Sequence, residues 1–310
     1  MLLCTVLLFF GFFLLIRGSD AFVDGATALA RRWHVSEFLI GMTVVAMGTS
    51  APEISVSVAS ALRGSAGVAV GNILGSNIAN ILLILGVSAV ICPLAVRKNT
   101  LLYEMPFIVF ITLLLMWFGI TFGGISRLAA VVLCVLFFLY MLYLCQVPSE
   151  TDRGQNQVAK TMSGLKTALS IILGLGALVI GSNLTVSSSI EIARYLNVSE
   201  RIIGLTIVAI GTSLPELAIG ITAALKRHID LAIGNIIGTN IFNIVFILGL
   251  VGLISPLAFE NGFILDSAVA LLAAGMLWVC TLYKSGLTRI HGALFLLLYF
   301  SYLLYLIFVG

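Results

Sequence analysis

One stretch of 38 residues occurs twice in this chain and limits what the rest can fold into. Thr43 to Asn80 reads TVVAMGTSAPEISVSVASALRGSAGVAVGNILGSNIAN, and Thr206 to Asn243 reads TIVAIGTSLPELAIGITAALKRHIDLAIGNIIGTNIFN. The copies align without a gap at an offset of 163 residues, with 18 of 38 positions identical. Each sets a carboxylate, Glu53 or Glu216, beside a proline in an apolar setting and follows it with an asparagine-rich segment. An ionisable side chain at bilayer depth is costly and by default marks an ion or substrate pathway.

Composition supplies the bilayer. Of 310 residues, 61% are hydrophobic and 9% charged, against about 25% charged in a soluble domain. A spanning helix needs ~20 mostly apolar residues. Ten such spans are predicted, at 2–30, 37–62, 68–91, 102–122, 126–145, 165–193, 200–225, 231–254, 264–283 and 289–309. The expected fold is therefore an all-α membrane protein. The N-terminal apolar run lacks the basic region of a signal peptide, and Gly18-Ser19-Asp20 recurs as Gly181-Ser182-Asn183, so it is read as a retained first helix. Five scattered cysteines without a CxxC argue against a disulfide framework or a zinc site. Lysine and arginine form no basic run, which argues against a nucleic-acid partner.

The polar stretch 146–164 separates a first half, 1–145, from a second, 165–310. With five spans each, the second half enters the membrane in the opposite direction, which makes the repeat inverted, as in many secondary transporters. Loop charges orient it. With the N-terminus outside, cytoplasmic loops hold 11 of the 16 Lys and Arg and outer loops hold 4. The positive-inside rule then places both termini outside and the 146–164 linker in the cytoplasm.

Pro52 and Pro215 each lack an amide hydrogen and displace the carbonyl four residues back, that of Gly48 or Gly211. Broken backbone in a membrane is tolerated where it lines a cavity or is buried in protein. The small neighbours Thr49 and Ser50, like Thr212 and Ser213, add hydroxyl oxygens there. Thr49 and Glu53, and Thr212 and Glu216, are i,i+4 pairs on one helical face. On the next helix Asn72, Ser76 and Asn80 form a polar stripe, as do Asn235, Thr239 and Asn243. Asn77 and Asn240 lie off the stripes and are expected to bond between helices. Together these residues make an all-oxygen donor set with two negative charges. Calcium takes about 6–8 oxygens in flexible geometry, whereas magnesium keeps its waters. Sodium, also hard, fits subsets of the same oxygens.

Other polar residues are expected to be less central. Asp20 and Asp24 read as an interfacial cluster with Arg17, and Glu104, Glu191, Glu260 and Asp266 as solvated or capping groups near span ends. The histidines, His34, His228 and His291, fall in loops or at span ends, so an intramembrane enzyme lacks a base. A cation channel and a proton-coupled antiporter remain open, since both use buried carboxylates.

GTSAPE with GNILGSNIAN, and GTSLPE with GNIIGTNIFN, resemble the paired repeats of the calcium/cation antiporter superfamily, in particular prokaryotic sodium/calcium exchangers. That resemblance spans the chain. It implies a ten-helix antiporter of the plasma membrane with Ca2+ and Na+ as substrates, no cofactor, no obligate partner and a monomeric state. It also implies a ligand set of Glu53 and Glu216 as shared acids, with Thr49, Thr212, Ala46 and Ala209 offering backbone or hydroxyl oxygens. Ser76 and Thr239 would offer hydroxyls to flanking sodium sites, and Asn80 an amide at the centre. The GNxxE-type motif of the proton-coupled branch is absent. One departure stands out: exchangers of this type often carry aspartate where this chain has Asn243, which leaves two central carboxylates and alters the expected sodium coupling.

Overall fold

A computed structural model describes residues 2–146, 162–196, 209–259, 262–284 and 286–308. Its helices are α1 (Leu2–Arg32), α2 (Glu37–Thr49), α3 (Ala51–Leu62), α4 (Gly67–Ile91), α5 (Thr100–Phe122), α6 (Arg127–Gln146), α7 (Gly164–Tyr195), α8 (Leu214–Leu225), α9 (Ile229–Ile254), α10 (Phe263–Lys284) and α11 (Arg289–Phe308). Among the described residues, eight helices are long and apolar enough to cross a membrane, and α2 with α3 makes a ninth that bends by 45°. The bend falls just before Pro52, at Ser50, where the backbone leaves helical geometry. The predicted span 200–225 lies partly outside the described residues; its described part is a helical turn, Ala209–Gly211, followed by α8.

Two helices form the centre. In their most apolar windows α4 is 78% buried and α9 83%, whereas the other single-helix spans are between 17% and 39% buried. The polar stripes sit on these two helices, so the asparagines are shielded from lipid. Helices α5, α6, α10 and α11 pack round them in one large apolar core.

Helices α1 and α7 pack mainly on each other and on a smaller core of their own with α2, α8 and the start of α9. Their seam is built on glycine at seven-residue spacing: Gly11, Gly18 and Gly25 meet, in turn, Gly181, Gly174 and Ile171. The descending order of partners makes the pair antiparallel. A Cβ on Gly18 would stand 2.9 Å from the Gly174 carbonyl oxygen, so only glycine permits this approach.

Two features escape sequence periodicity. Four two-residue strands form two antiparallel ribbons: β1 (Leu94–Ala95) pairs with β4 (Gly286–Leu287), and β2 (Gly124–Ile125) with β3 (Leu257–Ala258). Each ribbon ties a loop of the first half to a loop of the second. Helices α4 and α9 also widen to i→i+5 turns at Ala79–Ile84 and Asn243–Leu248. Such bulges are frequent at functional sites, and these two begin at or beside Asn80 and Asn243.

Two sequence expectations are corrected. Asp20 and Asp24 do not pair with Arg17, which lies over the Phe13 ring; they bind Lys226 at the end of α8, at 3.1 and 2.8 Å. The aspartates point across to α8, a neighbour that sequence distance conceals. Burial opposes the Lys226 charge, but the bonds from Asp24 and Asp20 outweigh it and hold the ammonium above the ordinary lysine range. Glu104 is not solvated but 1% exposed, because Tyr143 of α6 reaches over it. Glu191 does lie exposed beside Arg194, Asp266 is half-buried against Tyr302, and Glu260 falls outside the described residues.

Candidate functional site

Glu53 and Glu216 open α3 and α8, one residue after the prolines. Both are fully buried, and their charges act on one another. Among the described residues no lysine or arginine is buried, so the protein brings no cation of its own to the pair. A buried carboxylate without a counter-charge is unstable in a low-dielectric interior. The arrangement requires protons or a metal cation.

Of the other predicted residues, Ser76 and Thr212 lie against Glu53 and Thr49 against Glu216. Ala46, Thr49 and Ser50, at the end of α2, are fully buried, as are Asn80, Thr239 and Asn243; Ser76 and Ser213 are almost so. Thr212 is half-buried, and Ala209 opens the helical turn before α8. The hydroxyl of Ser76 donates to Glu53 Oε1 at 3.4 Å and lies 3.5 Å from the Thr212 hydroxyl. Contacts then cross between the halves in equivalent pairs. Thr49 donates to Asn235 Oδ1 at 3.5 Å, and Thr212 to Asn72 Oδ1 at 3.4 Å. These are long beside an O–H···O optimum of about 2.7–2.8 Å, so the hydroxyl oxygens are held loosely round the acids.

Five buried acceptor oxygens on four residues are more telling. Glu53 Oε2, both oxygens of Glu216, Asn80 Oδ1 and Asn243 Oδ1 have no hydrogen-bond donor. Buried polar atoms in native folds are nearly always paired. Unpaired carboxylate and amide oxygens are the kind of donor a hard cation takes. The Ser213 hydroxyl and the Asn235 amide nitrogen are likewise unpaired.

The two central amides are held in place from behind. Asn80 Nδ2 donates to Asn240 Oδ1 at 3.0 Å, and Asn243 Nδ2 donates to Asn77 Oδ1 at 2.9 Å. Asn77 and Asn240 in turn donate to each other's backbone carbonyls, at 3.2 and 3.4 Å. The amide nitrogens of Asn80 and Asn243 are thus occupied and their oxygens left free. Sequence spacing indicated that Asn77 and Asn240 bond between helices, but not that they orient the neighbouring amides. The repeat of N-x-x-N in both copies is the signal that was available.

The freed carbonyl of Gly211 also finds its partner. Ser182 of α7 donates to it at 2.8 Å, so one long outer helix is bonded to the broken turn before Pro215. The equivalent Ser19 of α1 bonds Ile16 O and contacts Thr222 of α8 at 2.8 Å instead. Residues equivalent in sequence thus make different contacts.

Residues 3–146 and 166–308 match the sequence family described as sodium/calcium exchanger protein. The chain is 30% identical to the sodium/calcium exchanger MaX1 of Methanosarcina acetivorans, over 98% of each chain. It is 36% identical to the inner membrane protein YrbG of Escherichia coli, over 90% of each. Among solved structures, the sodium-calcium exchanger NCX_Mj soaked with 10 mM Na+ and 10 mM Sr2+ superposes with a TM-score of 0.85 at 35% identity, over 97% of each chain.

Proposed function

The chain belongs to the sodium/calcium exchanger family, and from that premise we propose that it is a ten-span antiporter that exchanges Ca2+ for Na+ by alternating access. Its two inverted halves are 1–145 and 165–310, joined by a cytoplasmic linker, with both termini outside and the monomer as the working unit. The match in two segments, the antiparallel α1/α7 pair and the reciprocal ribbons support this organisation.

The observation that carries the reading is the set of unpaired acceptor oxygens on Glu53, Glu216, Asn80 and Asn243. One calcium ion neutralises both carboxylates and takes the amide oxygens. Sodium ions neutralise the same acids and draw on Thr49, Ser50, Ser76, Thr212, Ser213 and Thr239, with backbone oxygens of Ala46 and Ala209. Competition for one pair of acids couples the two fluxes. An uncompensated pair is too costly to carry through an occluded state, so the protein changes sides only when loaded. The glycine seam holds α1 and α7 together so that they slide as one past the remaining helices.

Reconstituted vesicles under imposed sodium, proton or potassium gradients provide the test. Calcium uptake driven by sodium is expected, and its loss in Glu53→Gln and Glu216→Gln without loss of insertion. Uptake that follows a pH gradient in the absence of sodium would establish the proton-coupled alternative. Flux that needs no counter-ion would establish a channel.

A further inference from the structure

A second polar cluster lies away from the repeats, between α5 and α6. Glu104, in the first turns of α5, is 1% exposed. Its Oε1 accepts from the Tyr143 hydroxyl at 2.8 Å, while Oε2 has no partner. The Thr100 hydroxyl lies close to the same carboxyl, outside good hydrogen-bond geometry, and the buried Tyr140 hydroxyl beside it is unpaired. Beside them a groove of about 460 Å3 runs along Leu102, Phe107, Phe110, Leu136 and Leu139. Leu102, Phe110 and Leu139 are each more than half exposed, so its walls face the bilayer rather than the interior.

The depth of the cluster is marked by aromatic residues. The Tyr103 and Tyr143 rings lie 6.1 Å apart, tilted at 47°, at one end of the helix pair, and Trp278 donates to the Leu101 carbonyl at 2.9 Å. Tyrosine and tryptophan collect where hydrocarbon gives way to lipid head groups. At that level a buried, half-bonded carboxyl beside an apolar trough has a specific complement: a head group that is cationic and donates hydrogen bonds, on a molecule with a hydrocarbon tail. A metal ion is poorly served by one carboxyl and neutral hydroxyls in apolar walls. An anionic lipid would set like charge against Glu104.

We propose that this groove binds a phospholipid with a primary ammonium head group. Its N–H donors meet Glu104 Oε2 and the Tyr140 hydroxyl oxygen, and its acyl portion lies along Phe107, Phe110 and Leu139. The second half carries a related feature. Asp266 of α10 accepts from Tyr302 of α11 at 2.7 Å, beside a groove of about 410 Å3 lined by Leu265, Leu272 and Tyr305. Asp266 is only partly buried and is not among the unpaired buried groups, so it serves as the control.

The test is native mass spectrometry of the full chain in detergent, offered equal amounts of dioleoyl phosphatidylethanolamine, phosphatidylglycerol and phosphatidylcholine. Phosphatidylethanolamine should be retained about tenfold over phosphatidylglycerol, the factor carried by one hydrogen bond to a charged group. Phosphatidylcholine, whose ammonium has no N–H, should show no such preference. Glu104→Gln should erase the preference while eluting as a single species and retaining calcium uptake, whereas Asp266→Asn should keep it. If Glu104→Gln does not fold, Tyr140→Phe must weaken it. Equal retention of the three lipids, tight phosphatidylcholine binding, or a preference that survives the Glu104 and Tyr140 variants overturns the proposal.

Discussion

Replacing Asn77 by alanine tests the site without touching a proposed ligand. The side chain accepts from Asn243 Nδ2 at 2.9 Å and donates to the Asn240 carbonyl at 3.2 Å, and it is 3% exposed. Its loss leaves the buried Asn243 amide nitrogen without a partner. Rotating that amide so its N–H faces the carboxylates restores a bond to a charged acceptor, worth about 1.5–3 kcal/mol. Calcium must then reverse the rotation before it can use the Asn243 oxygen. At about 1.4 kcal/mol per factor of ten, the apparent affinity for calcium should fall by roughly 10- to 100-fold. The assay is the calcium dependence of ⁴⁵Ca uptake into sodium-loaded proteoliposomes, with the thermal stabilisation that calcium gives as a transport-independent readout. Both should shift together, and maximal uptake at saturating calcium should largely recover. Unchanged affinity in both readouts would refute the idea that Asn77 sets the Asn243 oxygen towards the ions. A lowered maximal rate at normal affinity would point instead to a damaged fold.

Two further outcomes follow from the same geometry. Asn243→Asp adds a third carboxylate where the described residues supply no buried cation, so more sodium should accompany each calcium; a reversal potential identical to that of the unaltered protein would count against charge balance as the basis of coupling. Gly18→Ala places a Cβ 2.9 Å from the Gly174 carbonyl oxygen and 3.0 Å from the Ala177 side chain, which should slow exchange while leaving calcium-dependent stabilisation intact. A normal exchange rate in that variant would show that the close α1/α7 approach is not needed for the pair to move as a unit.

How legible the molecule was depended on whether a feature was local or built across helices. The acids, the prolines and the stripes ending at Asn80 and Asn243 repeat at one offset, and a repeated polar exception in an apolar chain needs no tertiary information to be seen. The boundaries of the spans within the described residues were readable for the same reason: they are breaks in hydropathy, a local property. Partner choice was not. Asp24 lies 202 residues from Lys226, and Glu104 lies 39 from Tyr143, so the sequence named the charged groups and misassigned their surroundings. The ribbons escaped because two-residue strands carry no period, although Pro-Leu-Ala does recur at 93–95 and 256–258. The wide turns at Asn80 and Asn243 left no compositional mark.

That division bears on how the site works. The residues proposed to touch ions recur in the sequence, yet their surroundings differ between the halves. Ser182 holds the Gly211 carbonyl, whereas Ser19 at the equivalent position is bound to Ile16 and Thr222. The Ser50 hydroxyl donates to the Ala46 carbonyl at 2.8 Å, whereas that of Ser213 is unpaired. If two halves alike at these positions adopt unequal contacts, the opposite assignment is open to them, since equivalent residues stand in both halves. Inequality of this kind is what an alternating-access protein needs, and it requires few dedicated residues. The cost of exchanging the two arrangements then falls on the contacts that must break, Ser182 with Gly211 and Lys226 with Asp20 and Asp24. The two Lys226 ion pairs are partly exposed and of a kind worth about 1 kcal/mol or less. On the proposed mechanism, these ion pairs would add little to the cost of exchanging the two arrangements.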